Sequence, residues 1–104
     1  MDAAKIAFEK LLLERIDEAE NKTGHTFSDL REMIAELGGW QAAKRLVSPG
    51  TAGTFSYGFK LLASHGLLRC SVEQAVIDSA GNRLFDEADI SNARARIAMA
   101  NMIL

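Results

Sequence analysis

The sequence predicts an all-α fold, a compact single-domain bundle of five to six helices with long helices first and last. Three observations lead there. Apolar residues recur at spacings of three and four along most of the chain, the mark of helices with one buried face. No stretch sustains the apolar–polar alternation of a strand, and the β-branched residues fall on helical spacings. Gly, Pro and capping residues interrupt the chain where each helical stripe stops. A chain of 104 residues is one domain by length and can bury a real core.

Residues 3–20 read as the long first helix, with Ala4, Ala7, Phe8, Leu11, Leu12, Ile16 and Ala19 on its apolar face. Asp2 is its expected N-cap, and Gly24 its left-handed stop. Ile6 and Leu13 form a second thin stripe, which widens the core face or meets another chain. Ser28–Leu37 is the second helix, capped by Thr26 or Ser28 and ended by Gly38 and Gly39. Trp40–Val47 is a short third helix, followed by a loop at Ser48–Thr54 that holds the only Pro. Thr54–Ser64 is the fourth, with Phe55, Phe59 and Leu62 as core; Gly58 inside it points to close approach of another helix. Ser71 and Gln74 make a capping box for a fifth helix, Val72–Ser79. The last opens at Asp86, with Asp89 at N3 and Phe85 against Ile90 as a hydrophobic staple. Ile90, Ala93, Ile97 and Ala100 or Asn101 should face its core.

Charge is unevenly spread. Residues 1–36 carry nine acids and five bases, residues 73–104 five acids and three bases. Between them, Lys44, Arg45, Lys60 and Arg69 stand in an acid-free stretch. The whole chain, at −2, has no general attraction for nucleic acid or membrane. A single cysteine, Cys70, allows no internal disulfide, and no apolar run approaches the ~20 residues a spanning helix needs. We read the chain as cytoplasmic, without membrane contact.

Motifs for chemistry are missing. His25, His65 and Cys70 have no metal-ligand spacing, and no cofactor is implied. Cys70 and His65 lie five apart around a turn, a spacing that supplies no positioned base for a thiol. The run Gly50–Ser56 lacks the Lys of a phosphate-binding loop. A helix–turn–helix reading makes Val72–Ser79 the recognition helix, where Glu73 and Asp78 repel phosphate.

The pattern Gly38-Gly39-x-x-Ala42-Ala43-Lys44-Arg45-Leu46, Gly58-Phe59-x-x-Leu62, Gly66-Leu67-Leu68, Ser71-Val72-Glu73-x-x-Val76 and Leu84-Phe85-Asp86-x-x-Asp89-Ile90-x-x-Ala93-Arg94-x-Arg96-Ile97 resembles a small uncharacterised bacterial helical domain. That domain occurs alone and as a C-terminal extension of other bacterial proteins. The resemblance covers Gly38–Ile97 and implies a helical fold, with no activity attached to it. The chain departs from it at Thr51–Thr54, at Arg69 and Cys70 where an acid is expected, and in its apolar tail.

These readings favour a non-catalytic binding or regulatory module of a bacterium or phage, acting on a protein partner. Trp40, Lys44, Arg45, Tyr57 and Lys60 are the expected contact residues, since aromatics with Arg are the usual anchors of interfaces. The alternative is sequence-nonspecific nucleic-acid binding through Lys44, Arg45, Lys60 and Arg69. The uncharged tail has to dock, into the core or into a second copy. Met99, Met102, Ile103 and Leu104 are the residues placed there for a homodimer.

Overall fold

α1, Ala3–Thr23, is the long helix against which the third, fourth and fifth helices pack. The computed structural model describes residues 2–48 and 57–103, the last by its backbone alone. Among them run α2 (Ser28–Leu37), α3 (Gly39–Leu46), α4 (Tyr57–Ser64), α5 (Val72–Asp78) and α6 (Glu87–Ile103), with two 3-10 turns and no strand. The first and last helices are the longest, as expected. The radius of gyration, 12.7 Å, is that of a globule of this length.

Asp2 caps α1 by accepting from the Ala4 amide at 2.9 Å. The helix runs to Thr23, three residues past the expected end. Lys22 sits in the last turn, where the dipole favours a cation, and pairs with Glu18 at 3.0 Å. Gly24 then takes φ 73° and stops it. Phe8, Leu12, Ile16 and Ala19 are the buried stripe. Leu13 widens the core while Ile6 stays exposed, and Ala7 is exposed too.

The start of α2 corrects a sequence expectation. Neither Thr26 nor Ser28 caps it; Phe27 holds the cap position with no side-chain bond of its own. Glu20 of α1 takes over by accepting from the Phe27 amide at 2.9 Å and from the Arg31 guanidinium at 2.7 Å. Arg31 also reaches Asp17 at 2.6 Å. A carboxylate from a neighbouring helix thus replaces the local cap.

Gly38, at φ 82°, turns the chain into α3. Gly39 follows with its amide donating to Glu9 Oε1 at 2.6 Å. A Cβ here would lie 2.9 Å from Glu9 Cα, so α1 and α3 approach as closely as only Gly allows. α4 ends in a Schellman motif: Gly66 is left-handed, and the Leu67 amide reaches back to the Leu62 carbonyl at 2.8 Å. Ser71 caps α5 by accepting from the Gln74 amide, but the Gln74 side chain turns to Asp78 at 2.9 Å rather than closing the box. Asp86 caps α6 through the Asp89 amide at 2.8 Å. Phe85 packs edge-on against Phe8, 5.1 Å between centroids, and so ties the start of α6 to α1. The expected core residue Phe55, the start of the fourth helix and the Ser48–Thr54 loop beyond Ser48 lie outside the described residues.

Candidate functional site

Two regions hold the side chains of interest. The first is the basic middle segment. Trp40, on the outer edge of α3, is half-buried; its indole N–H donates to the Leu84 carbonyl at 2.6 Å. Lys5 Nζ sits 3.9 Å from the ring centroid and Lys44 Nζ 5.3 Å. Lys44 also pairs with Asp89 at 2.9 Å. Trp40 and Lys44 are therefore brought together, in a seam that binds α3 to α1, α6 and the turn before it. Arg69 pairs with Glu18. Its carboxyl is held below the usual range by its bonds to Lys22 and Arg69.

Two of the four bases in the acid-free stretch thus face acids from the flanking thirds. Arg45 and Lys60 stay exposed, with no carboxylate partner among the described residues. Tyr57 and Lys60 lie one turn apart on the exposed face of α4. Tyr57 is 67% exposed, the one exposed aromatic among the described residues.

The second region is a cavity of about 590 Å³ behind α4. Its walls are apolar: Ile16 from α1, Leu30 and Met33 from α2, Phe59 and Leu62 from α4, and Val72 at the start of α5. His25, Phe27 and Tyr57 reach it as a chain of edge-to-face rings, with centroids 4.8 and 5.2 Å apart. On the same lining sits a buried ion pair, Arg96 Nε to Glu73 Oε2 at 2.8 Å, the two side chains 9% and 6% exposed. The Arg96 guanidinium carbon lies 5.5 Å from the Phe59 ring centroid.

Sequence reading did not select Glu73 or Arg96. Arg96 stands between Ala93 and Ala100 on the core stripe of α6, where Ile97 was the expected member; Ile97 is half-buried. Glu73 stands among Val72 and Val76, both buried. Two opposite charges on two apolar stripes are the signal that could have found them. The same geometry corrects the helix–turn–helix argument. Glu73 is buried, and Asp78 is paired with Arg15 at 2.6 Å, so α5 presents no bare acidic face. Burial pushes the Cys70 thiol up, with Glu18 adding to the shift. Cys70 is enclosed and His65 is exposed, so they form no nucleophile–base pair. Among the described residues no group of three or more His, Cys, Asp or Glu is placed to hold a metal, and no helix is long and apolar enough to cross a membrane.

Met99 and Met102 project outward from α6, 44% and 83% exposed, while Ala100 between them is buried. The side chains of Ile103 and Leu104 lie outside the described residues. Compared with family models, curated proteins and solved structures, the chain matches none, so the resemblance to the bacterial helical domain rests on its motifs alone.

Proposed function

We propose that this domain is a non-catalytic binding module that acts through contact with another protein, using the outer face of α4. The observation that supports it is Tyr57, a large aromatic left exposed one turn from an unpaired base, Lys60. A ring and a long cation together supply the contact area and charge that dominate interfaces. Arg45, on α3, is a second exposed cation with no carboxylate partner among the described residues. Trp40 and Lys44 are left out of this face, because their polar atoms are already bonded within the fold.

Capture from host lysate tests it, with the wild type beside a Tyr57→Ala/Lys60→Glu variant. The variant should melt like the wild type yet lose the partner; undiminished capture would sink the assigned face. A gel-shift series at rising salt runs alongside. Retardation of a duplex that falls steeply with salt would install nucleic acid as the partner instead.

A further inference from the structure

We propose that the outer face of α6 is a homodimer interface, separate from the α4 face, on which a second copy of this chain packs its own α6 antiparallel. An ordinary surface helix buries its apolar side and turns its charges to water. The second half of α6 does the reverse. Between Ala95 and Met102 the only charged residue is Arg96, and it is buried. The exposed residues of that run are Ala95, Ala98, Met99, Asn101 and Met102, none of them charged. Ala95, Ala98, Met99 and Met102 lie three and four apart and so form one patch. It holds two of the four large hydrophobics exposed among the described residues. On α1, by contrast, the exposed Ile6 has the exposed Lys10 one turn on.

Shape and charge choose a second copy as the occupant. Ala88, Ser91, Ala95, Ala98 and Met102, all exposed, alternate spacings of three and four along α6, the seam of a two-helix coiled coil. The seam is small at its start and large at its end, so it complements itself when reversed. A two-fold antiparallel pair sets Met102 of each copy over Ser91 of the other and Ala95 against Ala98. Small residues at the centre let the helix axes close to the short end of the ~8–10 Å range, and the flexible Met side chain fits the space left at each end. A parallel pair would stack Met102 on Met102 and leave the small residues facing one another. Charge agrees with the antiparallel choice. Arg94, exposed, borders the seam, and reversal brings it beside the last turn of the other α6. That turn has no base of its own, and the helix dipole favours a cation there.

Sedimentation equilibrium on the full chain tests the proposal. Two pairings, each made twice, are a short seam, of the weak class that buries less than ~1,200 Å². The mass should therefore climb from one chain toward two between about 1 μM and about 1 mM. Ala98→Glu, an exposed change at the middle of the seam, should keep the helical circular dichroism and weaken pairing about tenfold or more. Disulfide trapping reads the direction. Ala95→Cys mixed with Ala98→Cys should link under a mild oxidant. Ala88→Cys alone should not, since antiparallel pairing holds its two copies about 25 Å apart. Cys70 is buried and does not compete. The mass of one chain at every concentration, pairing untouched by Ala98→Glu, or Ala88→Cys linking to itself overturns the proposal. Tyr57→Ala/Lys60→Glu, which disables the α4 contact face, should leave the mass curve unchanged, so the two readings fail separately.

Discussion

Gly39→Ala is the sharpest test of the packing that positions α3. The added Cβ would lie 2.9 Å from both Glu9 Cα and Cβ. Carbon atoms rest at about 3.5–4.0 Å, so α1 and α3 would have to separate by roughly 0.6–1.1 Å. The obstacle includes backbone in the middle of a helix, which cannot rotate away as a side-chain tip can. Overpacking of this kind costs about 1–3 kcal/mol, and the upper end applies here. Separation also lengthens the bond from the Gly39 amide to Glu9 Oε1, now 2.6 Å. Against this, Ala gains up to about 1 kcal/mol of helix propensity over Gly, less at a first helical position. The net expectation is a loss of about 2 kcal/mol. In urea that moves the midpoint down by about 1–2 M at an m-value of about 1–2 kcal/mol/M. By heat it lowers the melting temperature by about 8–16 °C. Gly81→Ala is the control, since a Cβ there meets nothing within 4 Å. If Gly39→Ala melts with the wild type and the control, the close approach of α1 and α3 is wrong.

Acid should loosen the fold through α1. The folded-state pKa of Glu20 is lowered by its bonds to Arg31 and the Phe27 amide, and that of Glu18 by its bonds to Lys22 and Arg69. For Asp78, burial opposes the shift, but Gln74 and Arg15 hold it below the usual range. Each contributes stability above its unfolded value of about 4 and loses it as pH falls through the lower folded value. Melting temperature should therefore be flat near neutrality and drop below about pH 4, with a shallower drop in Glu20→Gln; an identical drop in that variant refutes the Arg31 clamp. Arg96→Ala, which leaves Glu73 buried without its pair, should cost about 3–5 kcal/mol in a urea melt, whereas Glu73→Leu/Arg96→Met should cost far less. Comparable losses in the two would mean that the ion pair stabilises more than its removal from water costs. If α6 pairs with a second copy through Met99 and Met102, Met99→Lys/Met102→Lys should convert a dimer to a monomer in light scattering; one mass for both proteins removes the tail from self-association.

What the sequence made legible is local. Asp2, Gly24, Ser71 and Asp86 act within a turn of where they stand, and each is found in its expected role. The same holds for the long outer helices and for Phe8, Leu12, Ile16 and Ala19, because a stripe at helical spacing needs no knowledge of its partner. The failures are where a distant residue takes over a local task. Glu20 replaces Thr26 and Ser28 as the cap of α2 from another helix. A close approach that the sequence did not single out is at Gly39, where the obstructing atoms belong to Glu9, thirty residues away.

Charge shows the same division at the level of function. Counted along the chain, Lys44, Arg45, Lys60 and Arg69 form a basic island. Folding brings Asp89 to Lys44 across 45 positions and Glu18 to Arg69 across 51. The island is cut to Arg45 and Lys60, and a clamp on a phosphate backbone loses half its cations. Burial acts in the opposite direction on Glu73 and Arg96. In the sequence they look like ordinary solvated charges on short helices. In the fold they are enclosed, matched to each other and set against an apolar cavity. A surface charge can be neutralised at little cost, but an enclosed one has to be kept paired inside the fold. That asymmetry is why removing one member of the enclosed pair is expected to cost far more than removing an exposed base.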